Sequence, residues 1–231
     1  MSRGLEVTRL GWLLACVAGL GCSGSRAPEG GAQSPAPPLQ LPEVARGALR
    51  PVATFAAIAE PAQRSQALFG EISRVLLHPR CLNCHVAGDT PAQGAVLALH
   101  EPPVTRGPED RGVVGMECTT CHQDRNLELS RVPGAPDWRL PPRNMAWVGK
   151  TAPEICAQLK DPARNGQRGL AAIVEHSHED PFVAWGWHPG FDRETPPGSQ
   201  EEFAQLVEAW VASGAECPAT GERAPSTQGG I

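Results

Sequence analysis

The sequence predicts a mainly α-helical fold in which a few short helices are joined by long loops. Its two longest amphipathic segments place apolar residues at helical spacing and are soon followed by proline or glycine. Glycine and proline number 25 and 24 among 231 residues, so many turns and short helices are expected. Aromatic residues are scarce (six Trp, five Phe and no Tyr), so a core of protein side chains alone would be thin.

Apolar periodicity and start signals place the individual helices. Four helices are expected, at residues 65–77, 151–159, 168–176 and 199–214. Thr151 with Glu154, and Ser199 with Glu202, have the capping-box spacing that opens a helix. Two long segments dominated by turn formers are expected to be loops, at residues 86–117 and 123–150. No strand pattern is persuasive.

The N-terminus has the form of an export signal. A charged start precedes an apolar run at residues 10–21, which is too short to span a bilayer, so residues 1–21 are predicted to be a signal peptide. Cys22 follows Gly-Leu-Gly, which resembles a lipoprotein cleavage site, although Gly19 stands where Leu is usual; Cys16 is a second candidate. A lipid on Cys22 would make the chain a periplasmic lipoprotein tethered to a membrane surface. The alternative is an ordinary secretory signal.

Composition predicts three further segments after the signal. Residues 22–62 are rich in Pro, Gly and Ala and are expected to be a disordered tether. The functional domain is expected at 63–218, and residues 219–231 form a disordered tail. The net charge is −5 with both signs spread along the chain, and no basic stripe indicates a nucleic-acid partner.

Two segments carry the strongest chemical signal, Cys81-Leu-Asn-Cys84-His85 and Cys118-Thr-Thr-Cys121-His122. Both have the Cys-x-x-Cys-His spacing typical of covalent haem c attachment. Positions i, i+3 and i+4 share one face of a helical turn, so both thiols can reach the haem vinyl groups while the histidine faces the iron. The sequence therefore predicts two haem c groups, with His85 and His122 as proximal ligands, and each motif at the start of a short helix.

Other uses of these cysteines are a four-thiolate zinc site, structural disulfides or redox dithiols. None of these requires a histidine directly after each pair, so the haem interpretation is favoured. Cys156 and Cys217 remain, and in an oxidising compartment they are expected to form a disulfide. The alternative for this last pair is two free thiols.

The distal ligand of each iron is less well defined. The candidates are the other His and Met residues, His78, His100, His176, His178, His188, Met116 and Met145. We expect His100 on the first haem, since a loop long enough to fold over the ring separates it from His85, and His176 on the second. Met145 is the rival for either iron. A methionine ligand raises the reduction potential, whereas a second histidine usually gives a lower one.

From His78 to Trp187 the chain resembles a group of small di-haem proteins named as a subunit of isoquinoline 1-oxidoreductase, a molybdenum hydroxylase. The resembling stretches are His78–His85, Gly115–Gln123, Pro133–Trp138, Met145–Trp147 and Trp185–Gly190, within a region of roughly 64–218. The resemblance implies a partner that accepts electrons from a periplasmic hydroxylase. The chain itself offers no molybdenum site, and neither cysteine pair fits a ferredoxin pattern.

These observations favour a cytochrome c-like fold packed around two covalent haems, with electron transfer as its function. Its partners would be a redox protein, such as molybdenum hydroxylase subunits, and a downstream acceptor. The main alternative is a di-haem peroxidase, which needs one iron with an open position and an acid–base group such as Glu175 or Glu179 near His176. A haem-based sensor is a third class, without an attached signalling domain to support it.

Overall fold

The two longest helices of the computed structural model, which describes residues 41–220, pack against each other: α1 (Pro61–Leu76) and α7 (Gln200–Ala212). Trp210 is fully buried at this contact, and its ring centroid lies 5.1 Å from that of Phe69. Ser65 joins the helices through polar contacts, because its Oγ donates to the carbonyl of Trp210 and accepts from the backbone N of Glu216. The pair forms the centre of the hydrophobic core.

Shorter elements surround this pair. The remaining helices are α2 (Pro79–Leu82), α3 (Cys118–Cys121), α4 (Ala152–Leu159), α5 (Leu170–Glu179) and α6 (Pro181–Trp185). Short 3-10 helices occupy Val52–Ala57, Pro108–Asp110, Arg143–Met145 and Pro162–Arg164. The mainly α prediction is therefore confirmed, and α5 packs on α7 to complete the main helical contacts.

No strands were expected, but the structure has strands in the segment 86–117, which was predicted to be a loop. Four two-residue strands form two antiparallel hairpins there: β1 (Ala92–Gln93) with β2 (Ala98–Leu99), and β3 (Gly112–Val113) with β4 (Met116–Glu117). A strand of two residues contains no alternation that a sequence pattern can reveal.

The predicted capping boxes begin the helices as expected. The Glu202 carboxylate accepts from the backbone N of Ser199 at 2.8 Å, and that of Glu154 accepts from the backbone N of Thr151 at 2.7 Å. The helix expected at 168–176 spans Leu170–Glu179. It ends before Pro181, which has no N–H to continue the ladder and opens α6 instead.

The disulfide prediction is confirmed. Cys156 on α4 is bonded to Cys217, which follows α7, and the two positions are 61 residues apart in sequence. Cys156 is fully buried in the core cluster. The bond thus joins the C-terminal end of the fold to its middle.

The predicted tether is partly wrong, because residues 41–62 pack on the core. Leu49, Phe55 and Ile58 are 3%, 0% and 4% exposed and belong to the core cluster. Proline and alanine make this segment resemble a linker, but three widely spaced apolar residues are enough to anchor it. Residues 22–40 of the tether, the signal at 1–21 with Cys16 and Cys22, and residues 221–231 of the tail lie outside the described residues.

An ion-pair group holds the same segment in place. The Glu71 carboxylate on α1 is buried and accepts from the backbone N of Arg50 at 3.0 Å and from its guanidinium at 2.6 Å. Arg74, one turn along α1, pairs with the same carboxylate. A buried carboxylate requires such partners, so Arg50 is expected to be important for docking the N-terminal segment. Within residues 41–220, no helix combines the length and apolar character needed to cross a membrane.

Replacing Phe55 with alanine tests whether this segment is part of the folded domain. We expect Phe55→Ala to lower the free energy of unfolding by about 3–5 kcal/mol, because it empties a fully buried site. Val44→Ala, in the same segment but outside the core cluster, should cost less than about 1 kcal/mol. Urea unfolding of both variants measures the difference, and equal stability of the two would contradict the packed arrangement.

Candidate cofactor sites

The first Cys-x-x-Cys-His motif lies on a turn that starts before it. The His78 side chain caps α2 by accepting from the backbone N of Arg80, and Pro79 occupies the first helical position. The backbone N of His85 donates to the carbonyl of Cys81 at 3.2 Å, so the helical turn extends through the motif. The second motif begins α3 at Cys118 as expected, whereas α2 begins two residues ahead of Cys81.

A large cavity opens beside the first motif. Its volume is about 420 Å³, within the usual range of small-molecule and cofactor sites. Cys81, Cys84 and His85 line one part of it. Apolar side chains from α1, α5 and α7 form much of the remaining wall, including Phe69, Ile72, Leu76, Ile173, Phe203 and Val207. The arrangement would accept a large apolar group held by the motif.

The His85 ring is held from two directions. Its Nδ1 lies 2.8 Å from the carbonyl oxygen of Met145, and its face stacks on Trp147 with centroids 3.4 Å apart and planes 5° apart. Burial lowers the pKa of His85 to about 4, although the bond to Met145 opposes that shift. The imidazole is therefore neutral at pH 7, with Nδ1 paired and Nε2 left as a possible metal ligand.

His176 and Met145 both line this first cavity. The His176 Nδ1 lies 3.0 Å from an Asp180 carboxylate oxygen, the carboxylate–histidine arrangement common around metal ligands. Burial raises the pKa of Asp180, but hydrogen bonds from His176 and from backbone N–H groups outweigh it and lower that pKa to about 2. The backbone of Met145 lies beside the His85 ring, because the Met145 carbonyl oxygen bonds the Nδ1 of that ring.

The second motif repeats this support for its histidine. The Nδ1 of His122 lies 2.7 Å from the carbonyl oxygen of Pro133, and the ring stacks on Trp138 with centroids 4.3 Å apart and planes 2° apart. Burial lowers the pKa of His122, partly offset by the Pro133 bond. This imidazole too is neutral at pH 7 and has its Nε2 available.

His100 lies beside the second motif, not the first. Its ring centroid is 5.9 Å from that of His122, and its Nδ1 is 2.8 Å from the carbonyl oxygen of Pro102. Two imidazoles bound to one metal from opposite sides have centroids roughly 6 Å apart, because each metal–nitrogen bond is about 2 Å. The structure thus exchanges the expected pairing: His100 is next to His122, and His176 shares the cavity of His85.

The other candidate ligands have different surroundings. His78 caps α2 and faces Glu194 at 3.9 Å, and His178 lies between Glu201 and Glu208 at 3.7 and 3.8 Å. His188 is exposed, with Nδ1 bonded within its own turn to the carbonyl of Ala184. The Met116 side chain is 48% exposed on the second hairpin. His78, His178 and His188 thus each have a polar partner in the protein that accounts for the position of the ring.

Three of the four motif cysteines are partly buried, and Cys121 is exposed. Burial raises the pKa of Cys81 to about 12 and of Cys84 to about 11, and it raises that of Cys118 as well. A redox dithiol needs a thiolate, which burial disfavours at Cys81 and Cys84. In the part of the chain that the structure describes, no three His, Cys, Asp or Glu side chains lie close enough to hold a metal ion. A haem iron needs only two protein ligands, since the porphyrin supplies the rest.

The residues present fit a haem at the first site. Trp147 lines the cavity, and its buried Nε1 has no hydrogen-bond partner in the protein. Such a donor usually has a partner, and a carboxylate-bearing group in the cavity would supply one. At the second site Leu99 and Met116, next to His100 and near Cys118, have exposed apolar side chains that a flat apolar group would cover.

Comparisons with family models, curated proteins and solved structures find no match to this chain. The interpretation of the sites therefore depends on their residues and geometry. The stacking of Trp138 and Trp147 on the motif histidines was not predicted from the sequence, although both residues lie in stretches that carry the resemblance. The sequence feature that could have indicated it is a tryptophan a few residues after each carbonyl that bonds a motif histidine.

The first cavity predicts that folding of the chain depends on a group that fills it. Leaving about 420 Å³ unfilled would cost at most about 10 kcal/mol at roughly 24 cal/mol per Å³, comparable to the whole stability of a domain. We expect Cys81→Ala/Cys84→Ala, produced with the haem-attachment machinery, to lose helical circular dichroism and become sensitive to protease. The matched control, Cys118→Ala/Cys121→Ala, removes the two cysteines of the other motif but leaves the first cavity and the Cys156–Cys217 disulfide in place. Wild-type helicity in Cys81→Ala/Cys84→Ala would contradict the prediction that folding depends on a group in the cavity.

Proposed function

We propose that this protein is an exported di-haem c-type cytochrome that carries electrons. The observation that carries the proposal is the common arrangement of the two motif histidines. Each has Nδ1 bonded to a loop carbonyl, one face stacked on a tryptophan and a second histidine at its site. Such partners orient a ligating imidazole and raise its basicity.

Each site provides a complete set of attachment and ligand groups. At the first, Cys81 and Cys84 would form the thioether bonds, and His85 and His176 would hold the iron. At the second, Cys118 and Cys121 would form those bonds, with His122 and His100 as ligands. Bound haem supplies a one-electron iron(III)/iron(II) change, and two histidine ligands keep its potential below that of a His/Met site.

The same placement favours a carrier over a peroxidase. A peroxidase needs one iron with an open position, and the second histidine at each site, His176 or His100, is available as the ligand that would close it. Met145 is less suited as a distal ligand, since its carbonyl already bonds the Nδ1 of the proximal His85. The protein contributes orientation, neutral imidazoles and an apolar surrounding that limits access of water.

The proposed partners follow from the resemblance and the N-terminal signal. A periplasmic oxidoreductase such as a molybdenum hydroxylase would donate electrons, and a second redox protein would accept them. A lipid at Cys22 would keep the carrier near a membrane surface. Export is also consistent with the Cys156–Cys217 disulfide, which requires an oxidising compartment.

Haem stoichiometry and the absorption spectrum test this function. Protein made with the haem-attachment machinery should contain two covalent haems per chain by the pyridine haemochrome assay. Both should be low-spin in the oxidised and reduced states, because each iron has two histidine ligands. Absence of covalent haem would overturn the proposal, and a high-spin fraction that binds cyanide or peroxide would favour the peroxidase.

Paired histidine variants test the ligand assignment. His176→Ala should leave the first haem with an open position and produce about half high-spin haem, whereas His178→Ala, two residues along α5, should not. His100→Ala should do the same at the second haem, with His188→Ala as its control. Met145→Leu should keep both haems low-spin. Electron paramagnetic resonance distinguishes these states, and a high-spin signal from Met145→Leu would overturn the histidine assignment.

A further inference from the structure

Aromatic side chains connect the two sites. The His122 ring is parallel to Trp138, and Trp138 meets Trp185 edge to face, with centroids 4.8 Å apart and planes at 80°. Phe182 meets Trp138 in the same way at 5.0 Å and 83°. Trp185 and Phe182 both line the first cavity. We call His122, Trp138, Trp185 and Phe182 the aromatic bridge.

The bridge is fixed by one polar side chain at its centre. The Asn126 Oδ1 accepts from Trp185 Nε1 and from the backbone N of Gly134, both at 3.0 Å. Gly134 follows Pro133, whose carbonyl bonds the Nδ1 of His122. One amide therefore positions the indole at the first cavity and the backbone beneath the second histidine.

Close packing reinforces this connection on both sides. A Cβ at Gly134 would lie 2.2 Å from the carbonyl oxygen of Arg125, so only glycine allows the loop to approach so closely. The Arg80 guanidinium, on the turn of the first motif, lies 5.4 Å from the ring centroid of Trp185. The bridge is thus in contact with elements of both motifs.

We propose that the aromatic bridge is the route by which an electron passes between the two haems, which rests on the proposed di-haem function. One electron leaves iron(II) at one site and reduces iron(III) at the other, so one iron is oxidised as the other is reduced. No proton or group moves, and the bridge residues are unchanged afterwards. Transfer between separated groups slows steeply across empty space, and ring-to-ring contact removes that gap between His122 and the first cavity.

The experiment measures transfer between the haems in the fully loaded protein. The haem content and both midpoint potentials of each variant are determined first. Pulse radiolysis then delivers less than one electron per molecule, and the redistribution between the two haems is followed optically. We expect Trp138→Leu to slow redistribution roughly tenfold or more beyond any effect of a changed potential, and Trp138→Phe to slow it less.

Further variants separate the route from a structural role. The double variant Trp185→Leu/Phe182→Leu removes the two bridge rings at the first cavity and leaves His122 and Trp138 unchanged. It provides the test if Trp138→Leu loses a haem. Phe191→Leu is the matched control, because this ring lies under Arg131 and Arg193 and is not one of the stacked rings of the bridge. This control should transfer electrons at the wild-type rate.

The possible results distinguish the electron route through the bridge from the proposed di-haem carrier function. Wild-type redistribution in Trp138→Leu and in the double variant, with two haems and unchanged potentials, would overturn the bridge and leave the carrier intact. Absence of haem in the wild-type protein would overturn the carrier itself. Slower redistribution in both bridge variants and not in Phe191→Leu supports the route.

Discussion

The Nδ1 atoms of His85 and His122 bond to the carbonyl oxygens of Met145 and Pro133, and the arrangement of both sites depends on these contacts. Each bond brings a long downstream loop back to its motif and leaves the Nε2 of the ring as the remaining nitrogen. The same loops deliver Trp147 and Trp138 to the faces of the rings. Without these bonds each imidazole would keep only its tryptophan stack, and each loop would lose a hydrogen bond to its motif.

The two sites share this support but differ in their enclosure. The first is a cavity walled by α1, α5 and α7, with the half-buried His85 on one side and a carboxylate behind His176. The second has two short hairpins, an exposed Cys121 and uncovered apolar side chains such as Leu99. Burial in a low dielectric shifts a haem potential, so the two haems would differ in potential even with the same ligands.

The hydrophobic core explains why such short helices form a stable unit. The α1–α7 pair buries Phe69 and Trp210, the Cys156–Cys217 bond closes the C-terminal end, and residues 41–62 cover one side. Helices of four and five residues, such as α2 and α6, are too short to be stable alone and depend on their caps and on packing. The cofactor would supply the apolar bulk that the few aromatic residues cannot.

The sequence alone determined the local features. The Cys-x-x-Cys-His turns, the capping boxes and the faces of α1 and α7 are set by residues a few positions apart, so their spacing is sufficient to predict them. The packing of Phe55 and the pairing of His100 with His122 and of His176 with His85 depended on the tertiary structure. Loops of dozens of residues join these groups, and their spacing in sequence contains no information about which ones meet. Only the long-range bonds of the loops and the packing of α5 on α7 decided where those side chains lie.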